Sequence, residues 1–122
     1  MAEHNELGQY GESVARSWLK KHDYILLEQN WHLHHLELDI IAEKEGWLVV
    51  VEVKTRTFTY LMAPEEAVNR KKACYMAKAS DAYARQKGLD LPIRFDVISI
   101  VVQPGKPDVI EHIEDAFLAT EF

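Results

Sequence analysis

The feature that most constrains the fold is a pair of apolar segments, roughly Leu36–Glu43 and Trp47–Arg56, joined by a short polar turn at residues 44–46. A polar turn that contains a glycine and lies between two apolar runs predicts a β-hairpin. The turn also sets which residues of the two strands face each other. The chain therefore has to build its sheet around this antiparallel pair.

The hairpin register brings charged residues together on one side of the sheet. Folding about the turn places Asp39 opposite Glu52 and Glu37 opposite Lys54, with facing Cβ atoms about 5 Å apart. Two like charges that face each other destabilise a sheet unless a cation or a proton lies between them. The pattern therefore indicates a magnesium site beside a catalytic lysine, although acid–lysine pairs are also ordinary on the polar face of a surface hairpin.

Apolar residues near the turn indicate which parts of the hairpin are covered. One side of the predicted hairpin carries Ile41, Leu48 and Val50, and the other carries Leu36, Leu38, Ile40, Val49, Val51 and Val53. Both sides are apolar at the turn end, so we expect both to pack against other elements there. The charged residues cluster where this cover ends, which favours a functional site at the rim.

Hydrophobic periodicity and turn residues predict the remaining elements. We expect a helix, a short strand, the hairpin, an alanine-rich helix, a long strand, a short edge strand and a final helical turn. Their bounds, apart from the hairpin, are Asn5–His22, Tyr24–Asn30, Pro64–Lys87, Ile93–Val102, Val109–Ile113 and Glu114–Phe117. The buried side of the alanine-rich helix is predicted to carry Val68, Tyr75, Met76, Ala79, Ala82 and Tyr83.

This order of elements predicts one α/β domain over residues 1–122. A right-handed crossover through the second helix places the last long strand parallel to the second hairpin strand. One helix can then cover each face of a mixed sheet, which makes a three-layer sandwich with an α-β-β-β-α-β core. Gly8 and Gly11 let the first helix approach the sheet closely, and Glu12 on that helix becomes a further carboxylate over the charged patch.

Composition narrows the setting in which the protein works. A chain of 122 residues with 48% apolar content is long enough for one domain with a real core. Its single cysteine, Cys74, allows no intrachain disulfide and favours a reducing compartment. The acidic N-terminus does not resemble a signal peptide, and the longest apolar run is too short to cross a bilayer. We therefore expect a cytoplasmic protein that does not act at a membrane.

Charge is distributed unevenly along the chain. The formal net charge is −6, whereas proteins that hold nucleic acid through phosphate contacts tend to be basic on at least one face. The segment Arg70–Lys87, however, carries six cations and a single acid, Asp81. A basic helix beside a metal site can bind a polyanion despite the overall sign, and a solvated helix face is the alternative interpretation.

Histidines and aromatic residues offer further candidate sites. His32 and His34 occupy alternate positions and could bind a transition metal from one strand face, although no cysteine or further carboxylate completes a standard spacing. Among the aromatic residues near loops, Trp31 and Tyr60 are candidates for stacking on nucleobases.

An acid followed by Glu-x-Lys on the next strand, within this element order, resembles the PD-(D/E)xK nuclease superfamily, which includes restriction endonucleases and archaeal Holliday-junction resolvases. More closely, the chain is similar to the YraN-like family of small bacterial proteins with a restriction endonuclease-like fold. The matching segments are Gly11-Glu12, Asn30-Trp31, residues 37–42, residues 51–56, Ala67-Val68 with Lys72, residues 94–97 and residues 115–117. One departure is that family members often carry a glycine shortly before the first acid, where this chain has His34-His35-Leu36.

The resemblance implies a role for each residue of the charged patch. Asp39, Glu52 and the carbonyl of Val53 would hold a divalent cation, Mg²⁺ or Mn²⁺, with Glu12 as an auxiliary ligand. Hard cations of this kind prefer oxygen ligands. Lys54 would orient or activate the attacking water and offset negative charge in the transition state. The implied catalytic residues are thus Asp39, Glu52, Lys54 and Glu12.

The resemblance also implies a substrate. Arg56, Arg70, Lys71 and Lys72 would contact nucleic-acid phosphates, while Glu37 would pair with Lys54 or tune it. The implied activity is Mg²⁺-dependent hydrolysis of phosphodiester bonds in DNA by an endonuclease acting on branched or damaged structures. The alternative is an adaptor that keeps the nuclease fold and binds nucleic acid or protein without turnover. A homodimer and a protein partner in DNA processing both stay open.

Overall fold

A computed structural model describes residues 5–59 and 69–117 of the chain. Within these ranges the elements are, in chain order, α1 (Glu6–Lys21), β1 (Ile25–Leu33), β2 (Leu36–Lys44), β3 (Trp47–Thr57), α2 (Arg70–Lys87), β4 (Ile93–Val102) and β5 (Val109–Phe117). The predicted helix, hairpin and long strand are confirmed within a residue or two. The predictions for Tyr60, Pro64, Val68 and the Ala67-Val68 match lie outside the described residues.

Local capping explains where the helices begin and end. The side chain of Asn5 accepts a hydrogen bond from the Gly8 N–H at 2.7 Å and caps α1, as the sequence predicts. Asn69, whose backbone is extended, caps α2 in the same way through the Lys72 N–H at 2.8 Å. The prediction of one unbroken helix over Pro64–Lys87 is therefore wrong, and α2 begins at Arg70. Gly88 ends α2 in the left-handed conformation, with φ of 66°, which glycine adopts without strain.

The five strands form one mixed sheet in the order β1-β2-β3-β4-β5. β3 and β4 are parallel and the other neighbours are antiparallel, so the predicted crossover through α2 is confirmed. The hairpin register is also confirmed, since Ile40 pairs with Val51 and Lys44 pairs with Trp47. With a helix on each face, the arrangement is a three-layer α/β sandwich, consistent with a restriction endonuclease-like fold.

Two edge segments differ from their predicted form. β1 continues to Leu33 instead of ending at Asn30, because its last residues pair with the start of β2 across a tight turn at His34, where φ is 56°. Residues 109–117 form one strand, so the prediction of a helical turn from Glu114 is wrong. The strand continues because a register shift in its pairing with β4 accommodates Asp115. The N–H of Asp115 donates a hydrogen bond to Asp96 Oδ1 at 3.0 Å.

Each helix covers its own apolar cluster. On one face α1 packs against a cluster that includes Ile40, Ala42, Val49, Val51, Ile98 and Ile100. On the other face α2 packs against a cluster that includes Leu38, Ile41, Leu48, Val50, Phe95 and Phe117. The hairpin is therefore buried on both sides at its turn end, as predicted.

The alternation of β2 breaks at Asp39, which the sequence does not predict. Leu36 and Leu38 pack on the α2 side, so the prediction that they share a face with Ile40 is wrong. The pairs of β1 with β2 lie on either side of Asp39 and Asn30, and Asn30 has φ of 49°. β1 and β2 keep the same register on both sides of this unpaired position, so the break in alternation is local to Asp39 and is not a register shift between the strands.

Tyr75 also lies elsewhere than predicted. The sequence places it on the buried side of α2, but 37% of its surface is exposed. The buried stripe of α2 instead runs through Ala73, Met76, Ala79, Ser80 and Tyr83. Since successive helix residues are about 100° apart around the axis, Tyr75 lies at the edge of this stripe.

Neither α1 nor α2, the helices within residues 5–59 and 69–117, is long and apolar enough to cross a membrane.

Gly11→Ala is expected to destabilise the protein. A Cβ at Gly11 would meet the hydroxyl of Thr55 on β3 and lie 2.7 Å from its Cβ, so α1 would have to move away from the sheet. We expect the free energy of unfolding, measured by urea denaturation, to fall by about 1–3 kcal/mol. Gly8→Ala is the control, because its new Cβ meets only the end of the Asn5 side chain, at 3.3 Å, so the predicted close approach to the sheet at Gly8 is wrong. Equal stability of the two variants would contradict close packing at Gly11.

Candidate functional site

The predicted carboxylates meet where the pairing of β2 with β3 ends. The last regular pair is Ile40 with Val51, and Asp39 and Glu52 follow directly. Asp39 Oδ2 accepts a hydrogen bond from the Val53 N–H at 2.9 Å, so a side-chain oxygen takes the place of a strand carbonyl. The two carboxyl groups are also hydrogen-bonded to each other. The structure thus brings Asp39 and Glu52 together as the sequence predicts.

Burial makes this pair of acids electrostatically unusual. Burial raises the pKa of Glu52 to about 7, and the negative charge of Asp39 adds to the effect. Burial also raises the pKa of Asp39, although the Val53 N–H and the ammonium of Lys72 oppose the shift. Two adjacent buried carboxyl groups cannot both ionise cheaply, so without a cation they hold a proton between them.

Helix α2 supplies a cation to the pair. Lys72 Nζ lies 3.5 Å from Glu52 Oε2, and its ammonium stabilises the charged forms of both acids. Lys72 belongs to the first turn of α2, which carries Arg70 and Lys71 but no acid. Arg70 and Lys71 are exposed. The predicted phosphate-binding residues of α2 therefore begin beside the carboxylates.

Strand β3 adds two further cations. Side chains alternate along a strand, so Lys54 and Arg56 project to the same face as Glu52. Both are half-buried, and Lys54 pairs through its backbone with Ser99 on β4. The predicted catalytic lysine thus follows the carboxylate pair along one strand.

Glu37 lies at the edge of this group. Its Oε1 is 3.4 Å from His32 Nε2, and its negative charge raises the pKa of Asp39. The expected pairing of Glu37 with Lys54 stays a prediction.

The donor set suits magnesium chemically but is incomplete as a metal cage. Across residues 5–59 and 69–117, no group of three or more His, Cys, Asp or Glu side chains is placed to hold a metal ion. His32 and His34, the alternative metal site, therefore also belong to no such group within these ranges. Mg²⁺, however, commonly keeps several waters and binds through one or two carboxylates plus substrate phosphates. Asp39, Glu52 and the carbonyl of Val53 fit that mode. The half-buried Glu12 lies on α1, which packs on the opposite face of the sheet from α2, and its role as an auxiliary ligand stays a prediction.

A second polar network lies on the α1 side and is not predicted from the sequence. Asp96 is fully buried on β4 and accepts two hydrogen bonds from Arg94, at 2.8 and 2.9 Å. Arg94 also donates to the hydroxyl of Tyr24 at 2.6 Å. Burial alone would raise the pKa of Asp96, but hydrogen bonds from His112, Arg94 and the backbone of Asp115 outweigh it and the pKa is lowered.

The histidine of this network has a defined tautomer. The indole N–H of Trp18 can only donate, and it points to His112 Nδ1 at 3.1 Å. His112 Nε2 therefore carries the proton and donates it to Asp96 at 2.7 Å. The network ties α1, β4 and β5 together, which is a structural role. Its only signal in the sequence is the pair of charges at alternate positions, Arg94 and Asp96, in an otherwise apolar strand.

Comparison with known proteins identifies relatives over nearly the whole chain. The model of the Uncharacterised protein family UPF0102 matches residues 11–100. A UPF0102 protein of Parabacteroides distasonis is 51% identical over 98% of both chains. UPF0102 proteins of Bacteroides thetaiotaomicron and Flavobacterium psychrophilum are 47% and 46% identical, each over 96% of this chain and 96% and 98% of their own.

Glu52→Gln is expected to remove a pH dependence of stability. Without divalent cations, Glu52 keeps its proton in the folded state up to about pH 7, whereas the unfolded chain releases it near the ordinary pKa of 4.5. The folded state thus binds more protons in this window, so the free energy of unfolding falls as the pH rises, by up to about 3 kcal/mol. The glutamine variant stays neutral and should lack this slope.

Urea denaturation in a chelator, across the same pH window, measures the effect. The control is Glu45→Gln in the exposed turn, which should keep the wild-type slope. A wild-type profile as flat as that of Glu52→Gln would show that the two carboxyl groups do not share a proton.

Proposed function

The chain belongs to the UPF0102, or YraN-like, family, and we propose that it is a metal-dependent endonuclease that hydrolyses phosphodiester bonds in DNA. The observation that carries the proposal is the contact between the half-buried carboxyl groups of Asp39 and Glu52, with a lysine ammonium 3.5 Å from one of them. Perturbed acids beside cations at the rim of a fold are typical of sites that bind and cleave charged substrates. A cytoplasmic location belongs to the same proposal.

The carboxyl pair supports a divalent cation as cofactor. A buried pair of like charges is costly unless a proton or a cation balances it. Asp39, Glu52 and the carbonyl of Val53 would hold Mg²⁺ or Mn²⁺, with Glu12 as an auxiliary ligand. When bound, such an ion activates water and stabilises negative charge on a phosphate.

The cations around the carboxyl pair have two functions in this proposal, one at the attacking water and one at the substrate phosphates. Lys54 orients the attacking water and stabilises the negative charge that develops on the phosphate, since it follows Glu52 on the same face of β3. Arg56, Arg70, Lys71 and Lys72 contact the backbone phosphates on either side of the scissile bond. Contacts with phosphates do not depend on the base sequence. They are therefore consistent with a substrate that is recognised by its structure, such as a branched or damaged site.

A second candidate function is an adaptor that binds nucleic acid or a protein of a DNA-processing assembly without turnover. The net charge of −6 favours this candidate, because it lowers affinity for a polyanion. The small number of carboxylates at the site favours it as well, since none of the described residues completes a three-ligand group. A homodimer is compatible with either function.

Magnesium is expected to stabilise the wild type but not Asp39→Asn. A cation that binds only the folded state raises the free energy of unfolding, by about 2.7 kcal/mol at a hundred times its dissociation constant. Asp39→Asn removes a ligand of the cation. It also removes one of the two adjacent negative charges that attract the cation, so the gain in stability should disappear. Thermal unfolding with increasing MgCl₂ measures it, and Asp108→Asn in the last loop is the matched control. Equal gains in wild type and Asp39→Asn would place the cation elsewhere.

Cleavage of DNA should depend on Asp39 and Lys54. Labelled single-stranded, duplex, flap and four-way-junction DNA are incubated with Mg²⁺ or Mn²⁺ and wild type, Asp39→Asn, Lys54→Ala or the control Lys106→Ala. We expect each of the first two substitutions to lower the rate by about 100-fold or more, because each removes a group that stabilises the transition state. The exposed Lys106 should be dispensable.

The other outcomes of the cleavage assay are also informative. Cutting that persists in both site variants would indicate a contaminating nuclease and would refute the assignment of the site. Binding of one DNA structure without any cutting would favour the adaptor function.

A further inference from the structure

An exposed aromatic ring lies one helical turn from the proposed site. Tyr75 follows Lys72 by three residues on α2, and residues at that spacing are neighbours on a helix surface. Lys72 in turn reaches to within 3.5 Å of Glu52. Although Tyr75 is a large ring, 37% of its surface is open to solvent. The ring therefore adjoins the position at which a phosphate would contact the cations of α2.

Two polar side chains flank this ring. His35, from the turn between β1 and β2, lies edge-on to Tyr75 with ring centroids 6.0 Å apart and an interplanar angle of 84°. The ammonium of Lys71 lies over one face of the tyrosine ring, 5.8 Å from its centroid, which leaves the opposite face for a base. Both flanking residues are exposed. The ring thus lies against two exposed polar side chains and remains partly uncovered.

Other aromatic residues are less suited to bind a base. Trp31, a stacking candidate from the sequence, meets Tyr83 edge-on at 5.2 Å and packs against the α2-side cluster. Tyr10 is exposed, but it lies on α1 at the opposite face of the sheet and donates to Asp108. Trp47 and Phe58 are also exposed, but Trp47 begins β3 and Phe58 directly follows it. Of the exposed rings among the described residues, Tyr75 is the one nearest in sequence to Lys72.

We propose that Tyr75, flanked by His35 and Lys71, is a stacking platform for an unpaired nucleobase next to the scissile phosphate. The position of the phosphate rests on the proposed nuclease function. A base in a duplex is covered on both faces by its neighbours, whereas an unpaired base can place a face on an aromatic side chain. Lys71, on a flexible stem, then meets the phosphate of that nucleotide. The platform selects single-stranded DNA, or junctions and flaps with unpaired nucleotides, over continuous duplex.

The first test measures binding without catalysis. Fluorescence anisotropy in EDTA compares a labelled oligothymidylate with a duplex of equal length, using wild type, Tyr75→Ala, Tyr75→Phe and Tyr10→Ala. Because Tyr75→Ala removes the ring on which one base would stack, we expect this variant to bind the single strand about tenfold more weakly. Tyr75→Phe keeps the ring and Tyr10→Ala removes an exposed tyrosine elsewhere, so both should bind like wild type, as should all variants with duplex.

Several outcomes would overturn the platform. They are unchanged single-strand binding by Tyr75→Ala, an equal loss for single strand and duplex, and no DNA binding by wild type. Tyr75-dependent binding of oligouridylate but not of oligothymidylate would overturn the assignment to DNA. Thermal unfolding of Tyr75→Ala checks that the variant is folded.

A second readout separates this inference from the proposed nuclease function. If wild type binds single strands through Tyr75 but cuts no DNA, the platform stands and the nuclease proposal fails. If wild type cuts DNA and Tyr75→Ala keeps the wild-type ratio of single-strand to duplex cleavage, the nuclease proposal stands and the platform fails.

Discussion

The hydrogen bond from the Val53 N–H to the carboxylate of Asp39 is the interaction on which the candidate site depends. It joins β2 to β3 where their regular pairing has ended, from one residue beyond Ile40 on β2 to two residues beyond Val51 on β3. A side-chain oxygen thus replaces a backbone acceptor, and the carboxyl group of Asp39 is held against that of Glu52. Without this bond the two acids would be free to separate, and no shared proton or cation would be needed.

A comparison of Asp96 with Glu52 shows how neighbouring groups decide the effect of burial on the pKa of an acid. Asp96 has Arg94, His112 and a backbone N–H as donors, and its pKa is lowered despite complete burial. Glu52 has another carboxyl group beside it, and burial raises its pKa to about 7. The negative charge of Asp96 is balanced by groups of the chain itself. Its network links α1, β4 and β5. The pair at Glu52 keeps a raised pKa even with the ammonium of Lys72 beside it, and acids with raised pKa values are typical of functional sites.

Helix α2 connects the carboxyl pair with the surface that a substrate would use. Its first turn is basic, and Lys72 extends from it to Glu52. Tyr75 and Lys71 continue the same helix outward and meet His35 from the turn between β1 and β2. The net charge of −6 lowers affinity for a polyanion, but charges more than about 8 Å away are largely screened at physiological salt. Local charge therefore governs what this face can bind.

Local rules account for what could be predicted from the sequence. The turn at residues 44–46 and the alternation around it determine the hairpin register, and hence the meeting of Asp39 with Glu52, because both depend on neighbouring residues. Capping and periodicity likewise determine α1, α2 and β4. Tertiary contacts decided the rest. The break of alternation at Asp39, the exposure of Tyr75 and the pairing of Asp96 with His112 depend on segments far apart in the chain, and no local pattern encodes which of them come into contact.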